Sequence, residues 1–247
     1  MKIIKDIAYG PYEDNNLDLY LPDGDSFDLF MYIHGGGLEQ RNKDWNPEVF
    51  TYLAERGIAA VPINYRKYPT AKYPDFVVDS AAAAAWLKEN IHRYGNCKRI
   101  FIGGSSAGGY LSMMLCFDPR WLGAHGLKNT DFFAYVLDAG QPTKHFKVLK
   151  EQGIDTRRVI IDETAPLYHV GETEEFPPMY IIVSDNDIKN RYEQIQLLLS
   201  TLKQFGCDEG KIRYELRHSA HCKYVDAFDE NNETVFGKMI YEYIKSF

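Results

Sequence analysis

Ser106 is the central residue of a glycine-rich stretch, Gly104-Ser105-Ser106-Ala107-Gly108, that separates two apolar runs. A G-x-S-x-G sequence that joins a strand to a helix is typical of a strained turn that exposes the serine hydroxyl. The N–H of Ala107 then lies in the first helical turn, where free amide donors and the helix dipole favour negative charge. This arrangement predicts nucleophilic attack by the hydroxyl on an electrophilic carbon.

The alternative interpretation is that this stretch is a glycine-rich turn without a nucleophile. A strand-to-helix turn of similar composition can bind phosphate or serve only as a turn. A dinucleotide-binding fingerprint fits poorly, because it requires G-x-G-x-x-G in the first strand–helix unit and this turn lies about a hundred residues along the chain. The strand, turn and helix signals fall in register here, which favours the nucleophile.

Asp187 and His221 are the residues predicted to activate that hydroxyl. A serine is a poor nucleophile until a base takes its proton and an acid orients the base. Asp187 follows the apolar run at 179–183, and His221 follows the alternating run at 211–218. In folds that carry such a turn between a strand and a helix of a parallel sheet, the partners follow in the order serine, acid, histidine. We therefore expect Ser106, Asp187 and His221 to meet at the ends of three strands.

Other residues compete for the acid and base positions. Asp185 lies two residues before Asp187, and Asp138 ends another predicted strand. We favour Asp187 because it lies further beyond its strand and has room to reach back. His218 is the alternative base, although it falls within the predicted strand at 211–218.

Three consecutive glycines, Gly35 to Gly37, follow His34 at the end of the apolar run at 27–34. Glycine loses more backbone entropy on folding than any other residue, so this run needs a physical reason. One reason is a tight turn. The other is that a bound molecule approaches the bare backbone and uses its N–H groups. His34 precedes the turn, and we expect it to hold the loop in shape by a hydrogen bond rather than to act as the base.

The elements that must position these residues alternate along the chain. Apolar runs bounded by Gly or Pro are typical of strands inside a parallel sheet, and apolar residues at i, i+3, i+4 and i+7 indicate helices. The predicted strands span residues 27–34, 57–65, 99–105, 132–140, 179–184 and 211–218, the last of them nearer an edge. Predicted helices cover about 76–95, 195–206 and 236–247. The fold class predicted is α/β, with a mostly parallel, doubly wound sheet and helices on both faces.

Length and composition restrict the class of protein. With 247 residues, 45% of them hydrophobic, the chain is predicted to form a single domain over 1–247. A net charge of −7 with no basic cluster argues against a nucleic-acid partner. No segment approaches the ~20 apolar residues of a membrane span, and no signal peptide is visible, so we expect a cytoplasmic protein without a membrane partner. Its four scattered cysteines are read as reduced thiols, with no metal site and no cofactor.

Residues 141–170 fit this pattern least well. The segment carries many charged residues and has no clear strand. In a doubly wound sheet, an insertion of this kind can cross above the carboxyl ends of the strands, where ligands bind. It is predicted to form a small cap insertion, with a surface excursion as the alternative.

Six motifs together resemble the α/β-hydrolase superfamily, over roughly residues 15–245. The branch they resemble most holds hormone-sensitive-lipase-like carboxylesterases and small bacterial acetyl and feruloyl esterases. The motifs are HGGG at 34–37, NYRKYP at 64–69, YPDFVVD at 73–79, GGSSAGG at 103–109, SDND at 184–187 and SAH at 219–221.

The resemblance implies a role for each of the principal residues. It implies Ser106 as nucleophile, Asp187 as acid and His221 as base. It also implies an oxyanion hole in which three backbone N–H groups bind the charged oxygen of the reacting ester; they belong to Gly36, Gly37 and Ala107. Many relatives carry Trp after the glycines, where this chain has Leu38, so the resemblance does not define the shape of the acyl pocket. The substrate-binding residues predicted are Leu38, Trp45, Phe146 and Tyr168.

The function that the resemblance implies is a serine carboxylic-ester hydrolase for short-chain acyl esters. Acetyl or hydroxycinnamoyl groups on carbohydrates are the substrates that family analogy suggests, and the partner is then a small-molecule ester. An arylformamidase-like amide hydrolase, which shares the glycine loop and the triad, is the first alternative. A non-catalytic ligand-binding protein of the same fold is the second, and the intact Ser106, Asp187 and His221 argue against it. The sequence does not indicate an oligomeric state.

Overall fold

Eight strands and seven α-helices make up the computed structural model, which describes residues 1–247. The strands are β1 (Lys2–Ala8), β2 (Asn16–Leu21), β3 (Ser26–Ile33), β4 (Ile58–Ile63), β5 (Asn96–Ser105), β6 (Ala134–Asp138), β7 (Met179–Asn186) and β8 (Ile212–Ala220). The helices are α1 (Pro47–Glu55), α2 (Asp75–Asn90), α3 (Ala107–Phe117), α4 (Pro119–Gly123), α5 (Phe146–Glu151), α6 (Arg191–Gln204) and α7 (Val235–Lys245).

All eight strands form one sheet in the order β1-β2-β4-β3-β5-β6-β7-β8. The strands from β3 to β8 are mutually parallel, whereas β1 and β2 add an antiparallel pair at one edge. This confirms the predicted mostly parallel α/β sheet, with β8 at the other edge. Because parallel strands place their carboxyl ends along one side, the loops after β3, β5, β7 and β8 come together there.

The six strands expected from apolar runs are β3 to β8, and their observed ends differ from the expected ones by at most three residues. The sequence patterns did not reveal β1, β2 and α1. Most side chains of β1 are exposed, so this strand carries little apolar signal of its own. It is defined instead by its pairing with β2, which is a contact between segments.

Alternate side chains of the central strands fill two separate cores. In β3, Leu29 and Met31 pack in the larger core with α2, α3 and α6, while Phe30 and Tyr32 pack in the smaller core with α1 and α7. The period of two along a strand therefore explains why the run at 27–34 is apolar on both sides. None of the helices combines the length and apolar character that crossing a membrane requires.

Glycines in the turn after β5 let α3 approach the end of β3 very closely. A Cβ built on Gly108 would lie 1.8 Å from the carbonyl oxygen of Ile33, and one built on Gly104 would lie 2.5 Å from the same atom. No side chain fits at these separations. The two glycines are therefore required by packing between the serine turn and the neighbouring strand.

Gly108→Ala should lower the free energy of unfolding by about 1–3 kcal/mol or more, because the new methyl group overpacks the contact with Ile33. Gly123→Ala is the matched control, since a Cβ at that position meets no atom within 4 Å. It should leave stability within about 1 kcal/mol of the parent, with any change in the stabilising direction. Urea unfolding followed by circular dichroism measures both. Equal unfolding free energies for the two variants would contradict this account of the turn.

Candidate active site

Ser106 lies between the last residue of β5 and the first residue of α3, in a backbone conformation that side chains rarely adopt. Its φ is 57° and its ψ is −112°. Backbone strain of this kind costs about 1–3 kcal/mol and persists only where the surroundings hold it in place. Here the N–H of Ser106 donates a hydrogen bond of 2.8 Å to the carbonyl oxygen of Asp138, at the end of β6. The turn leaves the serine side chain partly exposed above the carboxyl edge of the sheet.

His221 and Asp187 form a continuous hydrogen-bonded chain with Ser106. Nε2 of His221 lies 2.8 Å from Oγ of Ser106, and Nδ1 of His221 lies 2.6 Å from Oδ1 of Asp187. The Asp187 side chain is 1% exposed and that of His221 is 22% exposed. With a proton on Nδ1 directed at the carboxylate, Nε2 is free to accept the serine proton. The arrangement can therefore generate a nucleophilic oxygen.

The structure separates Asp187 from its rivals for the acid position. Asp185 is still part of β7 and pairs with His218 at 2.6 Å, in an exposed contact. That hydrogen bond holds the pKa of the Asp185 carboxyl below its usual range. Neither Asp185 nor His218 forms a hydrogen bond with Ser106 or His221.

Asp138, the other rival, is fully buried beneath the turn. One of its carboxylate oxygens accepts a hydrogen bond from the hydroxyl of Tyr224, and the other has no partner. Burial raises the pKa of this carboxyl to about 6. Asp138 therefore connects the serine turn to the segment that follows His221, without contacting the histidine by a hydrogen bond.

The glycine loop bends sharply beside Ser106. Gly36 and Gly37 have φ values of 105° and 65°, and the carbonyl oxygen of Gly36 accepts bonds from the N–H groups of Glu39 and Gln40 at 3.2 and 2.9 Å. A Cβ on Gly36 would lie 2.1 Å from the oxygen of Gln40. The turn alone thus requires glycine at this position. The N–H groups of Gly36 and Gly37 make no hydrogen bond within the protein, and both residues line the cleft that contains Ser106.

His34 supports this loop from the core, as the sequence predicted. Its Nδ1 lies 2.7 Å from the carbonyl oxygen of Gly35, and its ring stacks on Tyr65 with centroids 4.5 Å apart. Burial lowers the pKa of His34 to about 3, so the ring is neutral and Nδ1 donates to the carbonyl. Ala107 is the first residue of α3, where backbone N–H groups have no partner within the helix.

The cleft around Ser106 has a volume of about 310 Å³. Trp45 and Phe146 line it, as predicted, but Leu38 and Tyr168 do not. Leu38 is wrong as a pocket residue because its side chain is fully buried in the larger core. Tyr168 is wrong because it lies in the 3-10 turn at Pro166–His169, where it is 53% exposed.

Several lining residues escaped the sequence analysis. They are Gln40, Arg41, Ile188, Cys222, Lys223 and Asp226. Each of them lies one to five positions after Gly37, Asp187 or His221 in the sequence. This closeness in the sequence was the feature that could have predicted them as lining residues. The guanidinium carbon of Arg41 lies 3.2 Å from the ring centroid of Trp45, which makes a cationic wall on one side.

The segment at 141–170 contributes Phe146 to this cleft and is anchored to the body of the protein at several points. The hydroxyl of Tyr110 donates to the carbonyl oxygen of Thr164 at 2.7 Å. Lys147 forms an ion pair with Glu39, directly after the glycine loop. Glu151 accepts a hydrogen bond from the hydroxyl of Tyr68, so two of the charges that the sequence shows here contact neighbouring segments.

One cluster has the donor atoms of a metal site. Ligand atoms of Asp118, His169 and Glu172 lie within 4.8 Å of one another. However, the guanidinium of Arg120 donates to both oxygens of Asp118, and its Nη2 lies 3.3 Å from Nε2 of His169. The positive charge of Arg120 already occupies the position that a cation would need, so we interpret the cluster as an ion-pair network.

Sequence and structure comparisons agree on the relationship of this chain. The BD-FAE family model matches residues 17–122. The chain is 29% identical, over 226 residues, to the probable carboxylic ester hydrolase LipM of Mycobacterium tuberculosis; the match covers 81% of this chain and 51% of that protein. The acetyl esterase of Salmonella schwarzengrund is 30% identical over 136 residues, which covers 49% of this chain and 42% of that protein. The chain thus spans about half, or less, of the length of these curated relatives.

A truncated form of a carbohydrate esterase from gut microbiota has the same fold. It superposes with a TM-score of 0.79 over 100% of this chain and 96% of that chain, at 18% identity. The eight-stranded sheet, the strained serine turn and the sequence similarity lead to one conclusion. This chain has the α/β-hydrolase fold, and its sequence is similar to the BD-FAE family over residues 17–122 and to carboxylic ester hydrolases.

Proposed function

We propose that this protein is a serine carboxylic-ester hydrolase in which Ser106 is the nucleophile, His221 the base and Asp187 the orienting acid. The observation that carries the proposal is the hydrogen-bonded chain from Ser106 through His221 to Asp187, at 2.8 and 2.6 Å. The similarity to a probable carboxylic ester hydrolase and to an acetyl esterase supports the same reaction class.

In the first half of the reaction, Nε2 of His221 takes the hydroxyl proton while Oγ of Ser106 bonds to the ester carbonyl carbon. The carbonyl electrons move to its oxygen, where the N–H groups of Gly36, Gly37 and Ala107 stabilise the negative charge. One such donor contributes about 3 kcal/mol to transition-state stabilisation. When the carbonyl re-forms, the bond to the alcohol oxygen breaks, and His221 gives its proton to the leaving alkoxide.

In the second half, water hydrolyses the acyl-serine. His221 takes a proton from the water as its oxygen attacks the acyl carbon, and the same donors stabilise the second tetrahedral intermediate. Collapse breaks the bond to Oγ of Ser106, which regains its proton from His221. The net reaction consumes one ester and one water and releases an acid and an alcohol.

The substrate class we propose is short-chain acyl esters, with acetylated or hydroxycinnamoylated carbohydrates as the natural members. Similarity to an acetyl esterase and to a carbohydrate esterase supports this choice. The cleft is small; its hydrophobic lining residues are Trp45, Phe146, Ile188 and Cys222, and six of its 12 lining residues are polar or charged. Such a wall favours a short acyl chain and a polar alcohol.

Ser106→Ala should reduce turnover of p-nitrophenyl acetate at least ~10³-fold, because no other group can form the acyl intermediate. A fluorophosphonate should label Ser106 alone, as read by peptide mass spectrometry. Ser112→Ala is the control, since the Ser112 hydroxyl is buried and donates to the carbonyl oxygen of Gly108 at 2.9 Å. An adduct on Ser105 or Ser112, or an active Ser106→Ala protein, would refute the assignment.

Asp187→Asn should lower kcat/KM at neutral pH by about 10³- to 10⁴-fold, because the amide stabilises the wrong histidine tautomer. Asp185→Asn makes the same chemical change two residues away and should have much less effect, because Asp185 pairs with the exposed His218. Thermal unfolding checks that both variants fold. If Asp185→Asn proves the more damaging variant, the acid has been assigned to the wrong residue.

Acetyl to butyryl esters should be the preferred p-nitrophenyl substrates, with activity collapsing beyond about eight carbons. Each methylene buried against an apolar wall contributes about 0.8 kcal/mol, and this cleft offers few such contacts. A series of acyl chains from acetyl to dodecanoyl, compared by kcat/KM, measures the profile. A rate that rises steadily to dodecanoyl would require an apolar tunnel and would exclude the short-chain assignment.

A further inference from the structure

A second groove adjoins the cleft of Ser106. It has a volume of about 460 Å³, and it shares the lining residues Phe146 and Ile188 with that cleft, so the two cavities are neighbours. Its walls come from the segment at 156–159, from the loop after Asp187 and from the start of α6. The residues of this groove are therefore candidates for contact with the part of an ester that extends beyond Phe146 and Ile188.

The charge of this groove is opposite to that of the whole chain. Four of its 11 lining residues are cationic and none is acidic, although the net charge of the protein is −7. The cations are Arg157, Arg158, Lys189 and Arg191. Arg157 is neutralised by Asp155, but Arg158 and Lys189 are exposed and form no ion pair. Two cationic side chains are thus available to a ligand at the mouth of the groove.

Arg191 places a third positive charge deeper in the groove. Its side chain is 3% exposed, and its guanidinium donates only to neutral acceptors, the carbonyl oxygen of Ala139 and Oε1 of Gln141. It forms no ion pair, and burial lowers its pKa despite the nearby charge of Asp187, which is already bonded to His221. A buried charge without a bonded counterion is costly, and a bound anion would reduce that cost.

The amino terminus of α6 adds a partial positive charge to that of the cationic side chains. Arg191 is its first residue, and Asn190, Arg191 and Gln194 all line the groove. The N–H of Arg191 donates to the carbonyl oxygen of Ile188 at 2.8 Å, whereas the N–H groups of Tyr192 and Glu193 make no hydrogen bond and receive no side-chain cap from Asn190. Free N–H groups and the helix dipole favour an anion at that end.

We propose that this groove binds a carboxylate, so that the preferred ester carries a negative charge on its acyl or alcohol part. The inference rests on the proposed function, because it assigns a further recognition element to the same active site. A carboxylate is the anion that a dicarboxylic acyl group or a sugar acid brings to an ester. A guanidinium and an ammonium at the groove mouth suit it in geometry and charge.

Two matched pairs of esters test this and distinguish the source of the carboxylate. Acetylated methyl glucuronoside and acetylated methyl glucoside differ by a carboxylate in the alcohol part. Monoethyl succinate and ethyl butyrate differ by a carboxylate in the acyl part. In at least one pair the anionic ester should have a kcat/KM about tenfold higher, measured by pH-stat, and 1 M NaCl should remove the preference through screening.

The variant Arg158→Gln/Lys189→Gln should lower kcat/KM for the preferred anionic ester about tenfold and leave its neutral partner within about twofold. Arg93→Gln/Lys98→Gln is the matched control. It removes the same charge from exposed residues near the beginning of β5, at the end of that strand opposite Ser106. This control should leave both esters within about twofold.

Equal rates for both members of each pair would overturn the inference, as would equal effects of the two double variants. Turnover of the neutral esters tests the proposed function separately. If no ester is hydrolysed, that function fails, and saturation-transfer NMR with methyl glucuronoside and monoethyl succinate then decides whether the groove binds carboxylates. A signal that Arg158→Gln/Lys189→Gln abolishes supports the site, and a signal unchanged by that variant excludes it.

Discussion

The backbone conformation of Ser106 is the constraint on which the rest of the site depends. A residue other than glycine at φ 57° and ψ −112° stores strain, and it stays there only because its neighbours leave no alternative. The hydrogen bond from its N–H to Asp138 fixes the turn on one side. On the other side, Gly104 and Gly108 let the turn pack directly against the backbone of Ile33. Strand packing thus holds the hydroxyl in its exposed position.

The same packing brings the glycine loop to the serine. Gly35 follows β3 by two residues, and a Cβ there would lie 2.9 Å from the carbonyl oxygen of Ser105. The loop can therefore neither move closer nor carry a side chain at this point. The sharp turn at Gly36 leaves two N–H groups without internal partners, in two residues that line the cleft. The tight turn and the accessible backbone are two consequences of one geometry, so the two explanations for the glycines are not exclusive.

Charge around the cleft differs from charge elsewhere on the molecule. Arg41 and Lys223 line the catalytic cleft, and Arg158, Lys189 and Arg191 line the adjoining groove. Asp226 is the one acidic side chain that lines either cavity, so cationic side chains are in excess there, and such an excess favours the approach of anions within roughly a Debye length, about 8 Å at physiological salt. The tertiary structure assembles it from segments far apart in the chain. The sequence contains no basic run from which this group of cationic side chains could have been predicted.

The sequence by itself predicted the parallel strands and most of the chemistry, but not β1, β2 or α1. Apolar runs predicted β3 to β8, and motifs at the ends of β5, β7 and β8 predicted Ser106, Asp187 and His221, because buried parallel strands and strained turns leave strong local patterns. Tertiary structure decided what depends on contacts between distant segments. It paired Asp187 with His221 and Asp185 with His218, buried Leu38 in the core, and positioned β1 through its pairing with β2. Side-chain direction at a strand end, burial and shared grooves are properties of packed elements, and a local pattern contains no information about them.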